Sequence, residues 1–275
     1  MPFLTMSDGI KIYYEYHGEG ETILFAHGLN SSHLKNKTFY NEFKDDYRIV
    51  FYDQRGHESS DKSTVHMNVK RLAQDLNEIM ESLNLNDVTL IGHSMGAATI
   101  YNYVEQYGCE QIKRIIAADM SPYMRNDGWK GGIAQGKWSD EDFMQDLDRI
   151  FDDVGYARWY ITKNMMNPSL KNNPEEFEDA MIALCDEGFD PLTMASLWFS
   201  LFRTDQRKTM KKINVPFLYI MPETPLYSME AVDCIKDNVC DVFVLENNFP
   251  STTHAILSEM PHEVAEAVKK FMEKY

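Results

Sequence analysis

Cysteine is scarce in this chain of 275 residues, and basic side chains are outnumbered by acidic ones. The four cysteines show neither a paired disulfide spacing nor a metal-binding pattern, so we expect reduced thiols and a cytoplasmic protein. They are Cys109, Cys185, Cys234 and Cys240. Lysine and arginine number 27 against 43 aspartates and glutamates, which gives a net charge of −16 at pH 7. Because such a surface repels phosphates, we expect neither nucleic acid nor an anionic membrane as a partner.

Long apolar runs are also absent from the sequence. No stretch approaches the roughly 20 apolar residues of a membrane-spanning helix. The N-terminal segment lacks the basic start and the long apolar stretch of a signal peptide. Internal repeats and low-complexity tracts are missing as well. The composition, with 44% hydrophobic and 25% charged residues, is typical of a globular protein. The length suits one large core or a core with an insertion.

Strand-like runs alternate with helical patterns in two parts of the chain, residues 1–120 and 215–275. The main runs are Thr22–Ala26, Arg48–Tyr52, Val88–Ile91, Ile112–Ala118, Phe217–Met221 and Val242–Leu245. This alternation predicts an α/β fold with a mostly parallel, doubly wound sheet that is covered on both faces. These two parts together are expected to form the core domain.

Between residues 121 and 214 the alternation stops and only helical patterns remain. They cover Asp140–Phe151, Tyr156–Met166, Pro174–Cys185 and Pro191–Phe202. We interpret residues 121–214 as a helical cap, or lid, inserted over the carboxyl edge of the sheet, where α/β folds place their sites. This segment is rich in aromatic residues and methionine, so its underside is expected to roof a largely apolar pocket.

The motif Gly92-His93-Ser94-Met95-Gly96 has the spacing Gly-x-Ser-x-Gly between a strand-like run and a helical pattern. A serine in this context occupies a tight strand-to-helix turn that presents its hydroxyl outward. The flanking glycines leave room where side chains would clash with neighbouring backbone. Backbone N–H groups at the start of the helix are available to stabilise an oxyanion. The motif predicts Ser94 as a nucleophile, with His93 packed beside the turn.

A serine nucleophile needs a base, and the base needs an orienting acid. His254 follows a strand-like run and precedes a helical pattern that covers His262 to Tyr275. Pro261 stands just before this pattern, where a proline starts a helix. A histidine on such a loop is free to reach an active site, and His254 is therefore the candidate base. His57 is expected to hold its own loop. No pair of histidines has the spacing and carboxylate company of a metal site, so we expect no metal.

These features together resemble the α/β-hydrolase superfamily along nearly the whole chain. The matching segments, in order, are His27-Gly28, Asp53-Gln54-Arg55-Gly56-His57, the turn at Ser94 and the segment around His254. The resemblance implies an α/β-hydrolase fold with Ser94 as nucleophile and His254 as general base. It also implies an oxyanion hole made of the backbone N–H groups of Leu29 and Met95.

The acid is the point at which the sequence departs from this family. Most members carry an aspartate after the next-to-last strand, but the loop Pro222–Tyr227 contains none. Some relatives, haloalkane dehalogenases among them, keep the acid after the preceding strand, where this chain has Asp119. We favour Asp119 as the acid and keep Glu223, slightly displaced in the later loop, as the alternative. Those dehalogenases use an aspartate nucleophile, whereas Ser94 favours acyl transfer.

The expected function is that of a serine hydrolase without a cofactor. Its partner would be a small-molecule substrate: a small to medium, largely apolar carboxylic ester, thioester or lactone, cleaved through an acyl-serine intermediate. Two alternatives use the same triad, namely perhydrolase or cofactor-free haloperoxidase-like chemistry and hydrolysis of a C–C bond. A third alternative belongs to another class, a ligand-binding receptor built on a slowed hydrolase site. The sequence gives no indication of the oligomeric state.

Overall fold

Eight strands form one sheet within the residues that the structure, a computed structural model, describes: 2–63, 65–151 and 190–275. They are β1 (Phe3–Thr5), β2 (Lys11–His17), β3 (Thr22–Ala26), β4 (Arg48–Tyr52), β5 (Val88–His93), β6 (Ile112–Ala118), β7 (Phe217–Ile220) and β8 (Phe243–Glu246). Their spatial order is β1-β2-β4-β3-β5-β6-β7-β8. The β1–β2 and β2–β4 pairs are antiparallel, and the other five pairs are parallel. The predicted mostly parallel sheet is confirmed.

Eight α-helices are present in the same described residues. They are α1 (Lys37–Asn41), α2 (Val69–Ser82), α3 (Met95–Tyr107), α4 (Asp140–Ile150), α5 (Pro191–Arg203), α6 (Met229–Lys236), α7 (Ile256–Glu259) and α8 (Pro261–Lys274). The short helices α1, α6 and α7 were not predicted from the periodicity. None of the described helices has the length and apolar character that crossing a membrane requires.

The sheet is buried on both faces, as alternate residues of β3 illustrate. Ile23 and Phe25 pack in a cluster with apolar side chains of α1, α7 and α8. Leu24 and Ala26 point to the opposite face, where they pack in a cluster with side chains of α2, α3 and α6. Because successive strand residues face opposite sides, covering both faces requires nearly continuous apolar strands. This requirement explains why the parallel strands read as apolar runs.

The segment between β6 and β7 contributes α4 and α5 to the described structure. Ser139 begins α4 with a capping box, in which its side chain accepts from the N–H of Asp142 and the Asp142 carboxylate accepts from the N–H of Ser139. The Phe143 ring of α4 stacks on Phe202 of α5, with centroids 3.8 Å apart. No strand occurs in the described residues of 121–214. The predicted helical patterns Tyr156–Met166 and Pro174–Cys185 lie outside the described residues.

Candidate active site

Three neighbouring parallel strands bring the candidate residues to one edge of the sheet. In the register, Ala26 of β3 lies opposite Gly92 of β5, and His93 of β5 lies opposite Ala118 of β6. The chain therefore leaves all three strands at about the same level, as carboxyl ends of parallel strands do. The residues that follow the ends of these strands are His27, Ser94 and Asp119.

Ser94 occupies the turn between β5 and α3 in a strained backbone conformation. Its φ is 52° and its ψ is −123°, outside the regions that L-residues ordinarily populate. Its own N–H donates to the carbonyl of Ala118 at 3.0 Å, and its carbonyl accepts from Ala97 and Ala98 in the first turn of α3. Ser94 is partly exposed, whereas the next residue, Met95, is fully buried. The turn thus presents the serine outward.

The glycines on either side of the serine are required by close backbone approach. A Cβ on Gly96 would lie 1.9 Å from the carbonyl oxygen of Ala26, and one on Gly92 would lie 2.5 Å from the nitrogen of Ala97. Both neighbours are backbone atoms, which have no room to move aside. The Gly-x-Ser-x-Gly spacing therefore reflects packing of the turn against β3 and α3.

The loop after β3 carries the second expected oxyanion donor. Leu29 lines the same cavities as Ser94, and a Cβ on Gly28 would lie 3.3 Å from the Cβ of Ser94. Within the described residues, no acceptor receives the backbone N–H of Leu29 or of Met95. Two unengaged N–H groups beside a serine hydroxyl are the donor arrangement that stabilises an oxyanion.

Two neutral histidines hold this loop. The Nε2 of His27 accepts the N–H of Gln54 at 2.9 Å, and the Nε2 of His57 accepts the N–H of Asn30 at 3.2 Å. Burial lowers the pKa of His57 to about 4 and the pKa of His27 well below its usual value. Both rings thus remain neutral near pH 7 and keep the lone pair that accepts from the backbone. The Nδ1 of His57 donates to the backbone oxygen of Arg55 at 3.1 Å. This contact agrees with the expectation that His57 holds its own loop.

His254 and Asp119 are joined directly. The Nδ1 of His254 lies 2.7 Å from Oδ2 of Asp119, and the two residues are 4% and 0% exposed. Because the carboxylate accepts, Nδ1 carries the proton and Nε2 is the basic nitrogen. Within the described residues, Ser94 Oγ makes no hydrogen bond to His254, a contact that is often long before a substrate binds. The two side chains nevertheless line the same cavities.

The carboxylate of Asp119 is fixed from a second direction. Its Oδ2 also accepts the backbone N–H of Leu226 at 2.9 Å, from the loop after β7. Its Oδ1 is buried and has no hydrogen-bond partner in the described part of the chain. The residue has a φ of 41°, in the left-handed region. This conformation is uncommon for a residue with a side chain and is tolerated best by aspartate and asparagine.

Glu223, the alternative acid, has different surroundings. It is exposed, and its Oε2 accepts the backbone N–H of Ser251 at 2.5 Å. Its own N–H donates to Oγ1 of Thr252 at 3.1 Å. The described contacts thus tie Glu223 to the loop that precedes His254, and they join Asp119, not Glu223, to the His254 ring.

Two cavities adjoin Ser94. The first, which we name the loop cavity, has a volume of about 90 Å³. Its lining includes Leu29, Asn30, Ser31, His93, Ser94, His254 and Ser258. The second, the apolar cavity, has a volume of about 20 Å³. It is lined by Leu29, Ser94, Met120, Met124, Trp198, Leu201, Leu226, Tyr227 and His254. Ser94 and His254 are thus accessible from an apolar side and from a more polar side.

Some aromatic side chains of residues 121–214 line the apolar cavity, and others pack against one another within the segment. Trp198 and Leu201 of α5 line the apolar cavity. Trp138, in contrast, lies edge-on to Phe143, Trp198 and Phe202, and therefore packs within the segment itself. Four other aromatic or methionine residues expected in the cap fall outside the described residues: Trp159, Tyr160, Met165 and Met166.

A cofactor or metal site was not expected, and the described ranges of the chain contain no cluster of three or more His, Cys, Asp and Glu side chains able to hold a metal ion. The described cysteines, Cys109, Cys234 and Cys240, are free thiols. The ionisable side chains that line the two cavities beside Ser94 in the described residues are Lys35, His93, Tyr227 and His254.

Sequence reasoning missed one contact in this site. His93 was expected to pack beside the turn, but its Nε2 also lies 2.7 Å from the backbone oxygen of His254. The two residues are 161 positions apart in the chain. No local pattern signals such a contact, because it depends on where the loop after β8 crosses the end of β5.

A family model described as "alpha/beta hydrolase fold" matches residues 21–156 of this chain. The non-heme chloroperoxidase CPO-A1 of Kitasatospora aureofaciens is 31% identical over 126 residues, which cover 44% of this chain and 45% of that protein. The chain thus spans about half the length of the haloperoxidase relatives that it matches.

Two further likenesses extend over most of the chain. The bifunctional esterase/perhydrolase DCH of Acinetobacter calcoaceticus is 23% identical over 235 residues, covering 81% of this chain and 82% of that protein. The crystal structure of bromoperoxidase from Bacillus anthracis covers 96% of both chains with a TM-score of 0.84 and 22% identity. The fold is therefore that of the alpha/beta hydrolases, and the relatives are non-heme haloperoxidases and esterases.

Proposed function

The chain belongs to the α/β-hydrolase superfamily, and from this premise we propose that it is a serine hydrolase. The substrate class we assign is a small to medium, largely apolar carboxylic ester, or the related thioester or lactone. The observation that carries the proposal is the 2.7 Å contact between His254 and the buried Asp119, made by a histidine that lines the same cavities as Ser94.

The proposed chemistry begins with a proton transfer. Asp119 keeps Nδ1 of His254 protonated, so Nε2 takes the hydroxyl proton as Ser94 Oγ attacks the substrate carbonyl carbon. The negative charge that develops on the carbonyl oxygen is stabilised by the N–H groups of Leu29 and Met95. The C–O bond to the alcohol then breaks, and the alcohol leaves with the proton from His254. Water, activated by the same histidine, releases the acid from the acyl-serine.

The substrate assignment rests on the cavities beside Ser94. A volume of about 20 Å³ in the apolar cavity holds little more than one water-sized group, which favours a short acyl chain there. The loop cavity, with its serine and asparagine side chains, suits the alcohol part of an ester. Because α5 contributes Trp198 and Leu201 to the apolar cavity, we assign residues 121–214 as a cap that selects the acyl group.

Perhydrolysis is a second candidate function, favoured by the relatives named as haloperoxidases and as an esterase/perhydrolase. In this reaction hydrogen peroxide, in place of water, attacks the acyl-serine. The ester bond to Ser94 breaks, the serine hydroxyl is restored, and a peracid leaves. The same residues serve both reactions, so the relative rates of water and peroxide attack decide between them.

The first experiment measures initial rates on p-nitrophenyl esters of increasing acyl length. We expect multiple turnovers, with an optimum among the shortest acyl chains. Ser94→Ala should lower kcat by about 10⁶-fold, because it removes the nucleophile, while leaving thermal stability nearly unchanged. Ser7→Ala is the matched control, since Ser7 is exposed, lines neither cavity beside Ser94 and should keep wild-type rates.

Each other outcome has a distinct meaning. Full activity in Ser94→Ala would contradict the acyl-serine mechanism. A single burst without turnover would favour a ligand-binding receptor on a slowed hydrolase site. Hydrogen peroxide added to the wild type should divert the acyl group to peracid if perhydrolysis is the main reaction. Turnover of a diketone but not of any ester would favour hydrolysis of a C–C bond.

A further inference from the structure

The His93 imidazole lies against two other parts of the proposed site, the backbone of His254 and the loop at Gly28. His93 immediately precedes Ser94, and its Nε2 lies 2.7 Å from the backbone oxygen of His254. The His93 and His254 rings are 4.9 Å apart, centroid to centroid. On the other side of the ring, a Cβ on Gly28 would lie 3.3 Å from Nδ1 of His93. His93 therefore fills the space between the oxyanion loop and the loop of the base.

The hydrogen bond to His254 defines the state of the His93 ring. A backbone carbonyl only accepts, so Nε2 of His93 must carry a hydrogen and donate it. Burial, with a further effect of His254, lowers the pKa of His93 to about 3. The ring is therefore a neutral Nε2–H donor at every pH at which His254 could act as a base.

We propose that His93 is a positioning residue that sets the place of the His254 ring relative to Ser94 Oγ through its hydrogen bond to the His254 backbone. This inference rests on the proposed roles of Ser94 and His254. It deepens them, because it assigns to this chain a further residue on which the proton transfer depends.

The surroundings of His254 explain why such a contact is needed. His254 lies between β8 and α7, in a segment without regular secondary structure. Asp119 fixes one end of the residue, at Nδ1 of the ring, and His93 fixes the other end, at the backbone carbonyl. Because His93 is adjacent to Ser94 in the chain, the second contact ties the base directly to the nucleophile turn. A displacement of about 1 Å in such a pair costs about 10²-fold in rate.

A purely structural role predicts different behaviour. If His93 only fills volume, then an apolar side chain of similar length should serve equally well. If the donor matters, then glutamine, whose Nε2 also reaches a carbonyl, should preserve the rate and methionine should not. His93→Gln and His93→Met therefore separate donation from packing.

The test compares these two variants with the wild type on p-nitrophenyl acetate. We expect His93→Met to lower kcat by about 10- to 100-fold, with KM changed by less than about two-fold. We expect His93→Gln to stay within about three-fold of the wild type in both constants. Equal losses in the two variants, or full activity in His93→Met, would overturn the proposal.

The control is a variant that loses a comparable hydrogen bond elsewhere. Asn238 donates from Nδ2 to the backbone oxygen of Cys234 at 2.8 Å, and neither residue lines the cavities beside Ser94. Asn238→Leu should lower the thermal midpoint without changing kcat. If Asn238→Leu lowers kcat as much as His93→Met does, then the effect is general destabilisation and the proposal is wrong.

A second measurement does not depend on whether His93→Met folds. The ¹⁵N and ¹H resonances of the histidine rings in the wild type report the protonated nitrogen of each ring. We expect His93 to be the neutral Nε2–H tautomer from pH 5 to 8, and an Nδ1–H tautomer would overturn the proposal. Failure of the proposed function is distinguishable: the wild type would then lack turnover on p-nitrophenyl acetate, or Ser94→Ala would remain active, whereas the tautomer of His93 reports on the present inference in either case.

Discussion

Asp119 and Glu223 carry the same functional group and have opposite surroundings. Asp119 is fully buried and shares its Oδ2 between His254 and the N–H of Leu226. Glu223 is exposed and accepts from the backbone of Ser251. A carboxylate orients an imidazole only when it is held rigidly against the ring nitrogen, and this condition favours Asp119.

Asp119→Asn should therefore lower kcat by about 10⁴-fold, because the amide allows the wrong tautomer of His254. Either orientation of the amide leaves a buried donor without an acceptor. An amide nitrogen at the position of Oδ2 faces the N–H of Leu226, and an amide oxygen there places the nitrogen at the position of Oδ1, which has no hydrogen-bond partner in the described residues. Steady-state rates on p-nitrophenyl acetate measure the loss.

Glu223→Gln is the matched control for this prediction, since it makes the same chemical change in the alternative acid. It should keep kcat within about two-fold of the wild type, because the side-chain oxygen still accepts from Ser251. A large loss in Glu223→Gln with little change in Asp119→Asn would reverse the assignment. Small losses in both variants would mean that a Ser–His dyad works without a carboxylate.

At the scale of elements, the turn between β5 and α3 depends on how closely the strand, the helix and β3 approach one another. The strained φ of 52° at Ser94 is compensated by hydrogen bonds to Ala118 on one side and to α3 on the other. Gly96 permits the closest contact, since a Cβ there would lie 1.9 Å from the backbone of β3. The element therefore tolerates strain at the serine because its neighbours fix the backbone.

Gly96→Ala should lower the free energy of unfolding by about 3 kcal/mol or more, because backbone atoms of β3 must move to accept the methyl group. It should also lower kcat by displacing Ser94. Gly128→Ala is the control. Gly128 has a φ of 71° with nothing within 4 Å of an added Cβ, so only backbone strain of about 1–2 kcal/mol is expected.

Urea unfolding of both variants, followed by tryptophan fluorescence, measures these free energies, and ester turnover measures the displacement of the serine. Wild-type stability in Gly96→Ala would mean that the turn relaxes more easily than the packing indicates. A loss of activity in Gly128→Ala equal to that in Gly96→Ala would show that the effect is not specific to this turn.

At the scale of the whole molecule, buried neutral histidines couple folding to pH. The pKa of His57 is about 4, that of His93 is about 3 and that of His27 lies well below its usual value of 6.5, in each case mainly because burial disfavours the cation. These rings gain protons on unfolding. A histidine whose pKa is lower in the folded state than in the unfolded state stabilises the folded state at a pH above the unfolded pKa. This stabilisation is lost as the pH falls towards the folded pKa.

Stability should therefore decline as the pH falls from about 6.5 towards 4. Each such histidine lowers the unfolding free energy by up to about 1.4 kcal/mol per pH unit in this window. Urea unfolding midpoints at pH 7.5, 6.5 and 5.5 measure the slope. Midpoints that are independent of pH over this range would contradict the prediction.

His57→Gln should make this pH dependence less steep by about one proton, because it removes one group that charges on unfolding. His262→Gln is the control. His262 is exposed and its pKa is raised by Glu42, so it binds its proton more readily in the folded state, and its removal should not make the acid slope less steep. An unaltered slope in His57→Gln would show that the His57 ring is already charged in the folded state.

Several features of the fold were predictable because they depend on neighbours in the chain. The apolar runs predicted most strands to within a residue, as β7 and β8 illustrate, and the helical pattern predicted over Asp140–Phe151 begins at the residue where α4 begins. The helices α1 and α6 were not predicted from the sequence. Each has only five or eight residues, too few for a helical period to stand out from its surroundings.

The sequence by itself determined the tight Gly-x-Ser-x-Gly turn at Ser94, the succession of strands and helices along the chain, and His254 as the candidate base. These assignments follow from spacing within a few residues, which local backbone geometry and burial dictate. Composition alone also indicated an acidic globular chain. The cap assignment for residues 121–214 and the catalytic roles of Ser94 and His254 stay predictions that the experiments above test.

Only the tertiary structure decided which carboxylate meets His254 and what His93 contacts. Glu223 is much nearer to His254 in sequence, whereas Asp119 is 135 positions away. Yet β6 lies beside β5 and β7 in the sheet, so Asp119 follows the end of a strand next to Ser94. The order of strands in a sheet is set by long-range packing rather than by local spacing. For this reason the contacts of His254 with Asp119 and with His93 follow only from the folded chain, although the sequence already favoured Asp119 over Glu223 as the candidate acid.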